Sequence, residues 1–396
     1  MKIGILTFHR SYNYGAYMQC YSLVNRLKAD FPVADIEVID YTAQKIMNTY
    51  ENEFFRIKNK KVKRRFEERK TFFHAAQDKL PTSQWKDVSD NMENAIRFMN
   101  ETYDAIVVGS DAVWNWTVRG FPNLYFLKDY KGLKFSYAAS VHGMNYQNMT
   151  EEQKAYLKEA FSDFKYIGTR DITTEKMVEF CESSVKPLHN CDPTAFLKVD
   201  EGLCDIEKLK QKLSALGVDF SKPLIGIMAG NNIGREIKRH YGNKVQLIAL
   251  YEPNKYSDIQ LYDLNPFEWA RVFSLFDLTI THFFHGTMLS LVNAVPVIPI
   301  EFVNDFSVRN TTKIQDVMQR LGLSSWRFLC DIRKRTFIQK VLNKLGVCTE
   351  RKFWKEVFKQ IDDFLTNDYK DIIRERLCKE AKTYDSFYDT LKKYIS

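Results

Sequence analysis

The sequence predicts an α/β protein of two domains with parallel sheets. Three observations lead there. At 396 residues the chain exceeds the size at which one hydrophobic core stops growing. Short apolar runs alternate with stretches of helical periodicity, the signature of strands joined by helical crossovers. Most apolar runs also end in unusual polar residues, where parallel strands deliver ligand-binding loops. A helix rich in Asp, Glu and Lys separates two strand series between Leu197 and Pro223. The expected division is a first domain over 1–200, a second over 201–345, and a helical tail over 346–396 that packs on the first domain.

The first strand is short and apolar, Ile3, Ile5 and Leu6, and is followed by the polar loop from His9 to Gly15. Met18, Leu23 and Leu27 then mark one helical face. A second strand is expected over 36–41 and a helix over 85–99. The next apolar runs, 105–108 and 134–139, end in Gly109-Ser110-Asp111 and Ser140-Val141-His142-Gly143. Tyr166 and Ile167 lead to Thr169-Arg170-Asp171, and Leu188 leads to Cys191-Asp192-Pro193-Thr194. In the second series, 224–228 ends in Ala229-Gly230-Asn231-Asn232, and 278–281 ends in His282-Phe283-Phe284-His285-Gly286. Helical patterning fills 151–164 and 266–276. In the tail, Phe353, Val357, Ile361 and Phe364 share one face, and Ile373, Leu377, Tyr384, Tyr388 and Leu391 share another.

Charge and cysteine usage narrow the class of function. The net charge of +8 favours anionic partners such as phosphates, phosphosugars or lipid head groups. No nucleic-acid-binding motif accompanies it, so nucleic acid is not expected. Seven scattered cysteines without a C-x-x-C pair read as free thiols in a reducing compartment, and no metal site is expected. No signal peptide pattern or apolar run of about 20 residues is present, which predicts a cytoplasmic protein. Residues 54–74 form the most basic stretch, with Phe55, Val62, Phe66 and Phe73 spaced as one helical stripe. The favoured reading packs that stripe on the domain, and the alternative rests it on an anionic membrane surface.

His285 is the leading candidate for catalysis. It sits where a strand turns directly into a helix, with Gly286 expected to give the turn backbone freedom. A helix N-terminus favours phosphate or carboxylate, and imidazole exchanges protons near neutrality. His282 reads better as a packed residue, though it stands with Gly286 and Asn231 among the candidate substrate contacts. Asn13 and Gly15 mark either a second anion loop or a capped helix start. Arg170 either holds an anion bidentately or pairs with Asp171 or another acid. Ser110 and Asp111 form a tight turn, with Asp111 a helix cap or an orienting carboxylate. Asp192-Pro193-Thr194 reads as a rigid turn. Arg309 adds a cation that can face an anion, whereas Lys313 is expected in solvent.

Taken in order, these motifs resemble the polysaccharide pyruvyl transferase family. The pieces are Asn13-Tyr14-Gly15-Ala16, Tyr103-Asp104, Gly109-Ser110-Asp111, Trp114-Asn115, Ser136-Tyr137-Ala138-Ala139-Ser140, Arg170-Asp171, Asp192-Pro193-Thr194, Phe284-His285-Gly286-Thr287 and Pro296. The resemblance implies two Rossmann-like domains in a GT-B-like arrangement. It implies transfer of a pyruvyl group from phosphoenolpyruvate, a donor substrate and not a cofactor, to two hydroxyls of one sugar in cell-surface polysaccharide synthesis. It places the family's acid/base histidine at His285. The acceptor would be a sugar, lipid-linked or nucleotide-linked. Three positions depart from the pattern: Ala112 replaces a usual Gln, His282 a common Asp, and Phe283 an Arg or Ser. The missing arginine leaves Arg170, Arg309, Arg10 or Arg235 to meet the donor's anionic groups. Two other readings are a GT-B-like glycosyltransferase, with Glu301 reaching a nucleotide ribose, and a non-catalytic relative that binds glycan.

Overall fold

The computed structural model describes residues 1–48, 60–89, 91–303, 311–331 and 350–395, together with 333, 336 and 339. The chain divides into two units. The first comprises Met1–Lys198, Asn310–Thr312 and Lys379–Ser396, and the second Val199–Arg309 and Lys313–Cys378.

The first unit is built on a parallel sheet of seven strands: β1 (Lys2–Leu6), β2 (Asp35–Thr42), β3 (Thr82–Val88), β4 (Ala105–Val108), β5 (Leu133–Ala139), β6 (Phe164–Thr169) and β7 (Pro187–His189), in the order β3-β2-β1-β4-β5-β6-β7. The central strands β1, β4 and β5 are almost wholly buried, as parallel strands covered on both faces must be. The stretch 85–99, expected as one helix, is instead β3 followed by the helix Met92–Thr102. Trp85, Met92 and Ile96 do share an apolar surface, but Trp85 reaches it from an edge strand, stacked on Phe98 at 4.4 Å.

The second unit repeats the plan with β8 (Leu224–Met228), β9 (Gln246–Leu250), β10 (Ile259–Leu261), β11 (Leu278–Thr281), β12 (Val297–Phe302) and β13 (Phe328–Cys330). Its order, β10-β9-β8-β11-β12-β13, reverses direction between β8 and β11, just as the first sheet reverses between β1 and β4. Such reversals separate the neighbouring crossover helices and open a crevice at the strand carboxyl ends. The helix beginnings are encoded locally. Thr150 with Gln153, and Asn265 with Glu268, form capping boxes, and Asp171 and Asp205 cap their helices with carboxylates.

The tail, expected as one body on the first domain, is shared between the units. Trp354, Val357, Ile361 and Phe364 on the helix Arg351–Thr366 join the core of the second unit with Ile280, Ile300 and Trp326. Only the last segment belongs to the first unit. There Phe387 lies against Tyr137 at 5.0 Å and Tyr166 at 5.4 Å, and Leu391 is fully buried. Each large apolar side chain buried this way contributes roughly 1.5–3 kcal/mol. In the basic segment, residues 54–59 and with them Phe55 lie outside the described residues, as do the side chains of Val62 and Phe66. Phe73 on the helix Lys60–Gln77 is buried against Tyr14 and Tyr17, as the packed reading of the stripe expects.

Candidate functional site

In the first unit the loops after β1 and β4 flank the reversal. Leu6 leads to His9, which is fully buried and brings Nε2 within 3.0 Å of Asp40 Oδ1 at the end of β2. Arg10 forks onto the same carboxylate through Nε and Nη2. Burial works to raise the Asp40 pKa, but hydrogen bonds and charge from Arg10 and His9 prevail and hold it well below the usual aspartate range. Asn13 then caps the helix Tyr14–Asp30, its Oδ1 accepting from the Gly15 amide at 2.9 Å and the Ala16 amide at 3.3 Å. Those two amides already have a partner, so of the two readings of this loop the structure shows the capped helix start.

After β4, Gly109 passes so close to β5 that a Cβ would lie 2.3 Å from the Tyr137 carbonyl oxygen. The backbone stays in the left-handed region at Asp111, with φ of 80°. A non-glycine residue there is strained, and such strain gathers at ligand-binding turns. Ser110 is buried; its carbonyl accepts from Thr7 Oγ1 at 2.9 Å, while its own hydroxyl finds no partner among the described residues. Asp111 caps no described helix. Its Oδ1 accepts from the Ala112 amide at 2.8 Å and lies 3.6 Å from Arg170 Nη2.

Arg170, at the end of β6, resolves in favour of pairing. Its side chain is 3% exposed, and Nη1 lies 3.3 Å from Asp192 Oδ2. Burial pulls the guanidinium pKa down, and the charges of Asp111, Asp192 and Asp171 outweigh that and raise it. Asp171, the acid named first as its partner, instead caps the helix Ile172–Phe180 and accepts from Ser140 Oγ at 2.6 Å. Asp192 also accepts from Gln19 Nε2 and from Thr194, which fixes the Asp192-Pro193-Thr194 turn as the sequence suggests. Arg170 thereby ties together the carboxyl ends of β4, β6 and β7.

In the second unit the loops after β8 and β11 flank the reversal. The helix Asn231–Tyr241 follows β8 through Gly230, and the helix Phe284–Val292 follows β11 through Phe283. Neither N-cap residue supplies a side-chain cap. The first-turn amides of such a helix have no partner within it and carry its positive dipole end. Asn231 is exposed, its Oδ1 accepting from the Lys255 amide at 2.7 Å. His285 occupies the first turn of the second helix, half-buried, with Nδ1 on its inner side. The Phe284 ring meets it at 5.6 Å, and Lys313 Nζ stands 5.1 Å from the centre of that same ring. The structure therefore places Lys313, expected in solvent, next to the histidine motif.

Gly286 has a different reason from the one expected. It lies inside the helix with ordinary backbone angles, so freedom at the turn is not what it supplies. A Cβ there would meet Thr281 Oγ1 at 2.6 Å and Met228 Sδ at 3.1 Å. Glycine lets the helix settle onto the ends of β8 and β11, which sets where His285 stands. Thr281 Oγ1 reinforces the turn by accepting from the Phe283 amide at 2.9 Å.

His282 is half-buried, with Nε2 3.8 Å from Glu252 Oε2. Burial lowers its pKa, so the ring is neutral at pH 7. Phe283 meets the His282 ring at 4.2 Å and Tyr251 at 6.3 Å, and Tyr251 is itself held at a φ of 66° after β9. Tyr251 and Glu252 were missed because β9 was not recognised. The signal was the apolar run Leu247-Ile248-Ala249-Leu250 ahead of Pro253. Asp40 was missed too, although an acid set between Ile39 and Tyr41 in the apolar run 36–41 marks a buried partner.

Of the four arginines named to replace the one absent at position 283, three are paired with acids. Arg10 holds Asp40, Arg170 holds Asp192 and Asp111, and Arg235 holds Glu236 at 2.9 Å. Arg309 lies outside the described residues. Glu301, named for a ribose, is held by Arg327. No cluster of His, Cys, Asp and Glu fit to hold a metal occurs among the described residues, and no described helix is long and apolar enough to cross a membrane.

Comparison with known proteins extends this picture. The family model for polysaccharide pyruvyl transferases matches residues 13–302, from the cap of the first helix to the end of β12. No curated protein matches the chain. Among solved structures, the chain is similar to UDP-GlcNAc 2-epimerase from Neisseria meningitidis bound to UDP-GlcNAc, with 11% identity over 99% of this chain and 100% of that one, at a TM-score of 0.56. It is also similar to a protein described as a UDP-N-acetylglucosamine 2-epimerase of Listeria monocytogenes, with 10% identity over 99% of this chain and 96% of that one, at a TM-score of 0.54. At such identities the likeness concerns the fold, a GT-B-like pair of Rossmann-like units.

Proposed function

The chain belongs to the polysaccharide pyruvyl transferase family and is a glycan-modifying transferase, and on that premise we propose that it moves a pyruvyl group from phosphoenolpyruvate to two hydroxyls of one sugar, with His285 as the acid/base group. One observation carries the reading: His285 stands on the first turn of an uncapped helix, at the carboxyl end of β11, where the strand order of the second sheet reverses. That position offers a proton carrier beside a seat for an anion.

The chemistry asks little else of the chain. A proton adds to the methylene carbon of the enol and leaves an oxocarbenium-like centre at the carbon bearing phosphate. One sugar hydroxyl adds there and gives up its proton. Phosphate departs, the neighbouring hydroxyl adds, and its proton leaves as the ketal closes. The sum is phosphoenolpyruvate plus diol giving ketal plus phosphate, with protons in balance. His285 delivers and collects protons, and the helix dipole with Lys313 offsets the donor's negative charge.

The acceptor in this reading is a sugar or lipid-linked oligosaccharide, met in the cytoplasm. The six described cysteines are free, which supports a reducing compartment. With Phe73 packed inward, a peripheral contact of the helix Lys60–Gln77 with an anionic membrane would rest on charge alone, from the exposed Lys60 and Arg64. The nucleotide-sugar alternative loses its ribose acid, since Glu301 is engaged by Arg327.

The test is incubation with phosphoenolpyruvate and candidate glycans, following phosphate release and the mass gained by the sugar. His285→Ala is expected to lower turnover about 10²–10⁴-fold, the range general acid–base catalysis supplies, with unchanged thermal stability. Full activity in that variant removes His285 from the mechanism. Stabilisation by nucleotide sugars but not by phosphoenolpyruvate rejects the donor.

A further inference from the structure

A second concave surface lies in the second unit, away from the reversal. It is a cavity of about 510 Å³ between the helices Asn231–Tyr241 and Arg351–Thr366, lined by Glu236, His240, Arg351, Lys355, Phe358 and Lys359, with Trp354 and Asp362 completing the wall. The uncapped end of the first helix is at Asn231, whereas the cavity meets its other end at His240. Glu236, the lining residue nearest Asn231, is about 7.5 Å from it along the axis, and no lining residue belongs to the loops after β8 and β11.

Three features define what the cavity fits. The His240 ring stacks on Phe358 at 3.9 Å with planes 12° apart, and Trp354 lies 5.6 Å from Phe358. Aromatic faces of this kind suit the apolar faces of sugar rings. Both acids in the wall are already compensated. Glu236 is held by Arg235 at 2.9 Å and Arg239 at 2.9 Å, and Asp362 accepts from the Tyr241 hydroxyl at 2.8 Å. The cations Arg351, Lys355 and Lys359, by contrast, are exposed and have no carboxylate within ion-pair distance among the described residues. They recur every four residues, so the row extends about 12 Å along one face of the helix. A row of that length outreaches one phosphate and matches charges repeated along a polymer.

We propose that this cavity is an anchoring groove for an anionic glycan chain, binding carboxylate-bearing sugars by ring stacking on His240 and Phe358 and by charge on Arg351, Lys355 and Lys359. The proposal rests on the glycan-modifying transferase reading. In that reading the product itself carries a carboxylate with every ketal, so the groove retains the chain while the reaction proceeds elsewhere.

The test uses binding rather than turnover, so its outcome is independent of the donor and of His285. Short hyaluronan oligosaccharides supply carboxylates without phosphate, dextran oligosaccharides supply the neutral control, and single-stranded DNA supplies the competing polyanion. The intact chain is expected to bind hyaluronan, with affinity falling as salt rises, and not dextran. R351E/K355E/K359E, all on the surface, is expected to weaken binding at least about tenfold, the combined effect of three exposed charge pairs, with unchanged thermal stability. His240→Ala is expected to weaken hyaluronan binding without altering the salt dependence. Equal hyaluronan affinity in the triple variant overturns the proposal, and so does tighter binding of DNA than of hyaluronan at the same salt.

Discussion

The two units share one strand plan and differ in what stands at the carboxyl ends. In the first unit the ends are bound up in internal ion pairs and hydrogen bonds: Arg170 with Asp192 and Asp111, Arg10 and His9 with Asp40, and Asn13 on its own helix. In the second unit the helices that follow β8 and β11 both begin without a side-chain cap, and two half-buried histidines and a lysine stand at the start of the second. A helix start left uncapped forgoes about 1 kcal/mol that Ser, Asp or Asn would supply. Keeping two of them is intelligible where a ligand takes the cap's place. In the proposed mechanism the first unit therefore shapes and holds, and the second carries proton transfer and anion binding.

The sharpest way to break this comparison is to substitute Arg170. Its side chain is 3% exposed and faces three aspartates, so Arg170→Met leaves buried carboxylates without a counter-charge. Removing one partner of a buried pair costs about 3–5 kcal/mol. Chemical denaturation of this variant should show a loss of that size, against none for His285→Ala. Equal stability in the two variants would erase the distinction between a holding unit and a reacting one.

A smaller effect is expected inside the second unit, at Gly286. A methyl group there meets Thr281 Oγ1 at 2.6 Å, and the helix must shift to admit it. Overpacking of this kind costs about 1–3 kcal/mol. Because the shift displaces His285, Gly286→Ala should lower turnover by more than its loss of stability accounts for. Pairing it with Thr281→Ala, which opens space beside the new methyl, should restore part of the activity. No rescue would mean that Gly286 acts through something other than close approach.

The central strands other than β9 were largely legible because each is a short apolar run closed by glycine or polar residues, as at 105–108, 134–139, 224–228 and 278–281. The edge strands were not. β3 carries Gln84 and Lys86 and reads as half of a helix, and β10 and β13 have three residues each. Position was also more legible than partnership. The motif around His285 stood out from its residue types, yet Asp40 with Arg10, Asp192 with Arg170 and Arg327 with Glu301 are pairs set by sheet order. No local pattern encodes that order. Gly286 shows the same limit, since its spacing suggested a turn and the demand for glycine comes from a neighbouring strand.

The smallest expected effect lies in acid stability, and it separates the units again. Asp40 is held below its ordinary pKa of 3.8, so its favourable contribution is complete above that value and is lost only as pH falls further toward its folded pKa. His282 is depressed below its ordinary 6.5 by burial. The unfolded chain therefore takes up a proton near pH 6.5 that the folded ring takes up only at lower pH. Stability associated with His282 is complete above pH 6.5 and declines as pH falls below it. Thermal melts between pH 7.5 and pH 5 should consequently show a gentle decline that His282→Gln flattens and Asp40→Asn does not. Below pH 4 the order should invert, with the Asp40→Asn variant the less sensitive to further acid. A decline near neutrality that persists in His282→Gln would assign the titration to another group and leave His282 free to be charged, where its approach to Glu252 would become an ion pair and not a contact of a neutral ring.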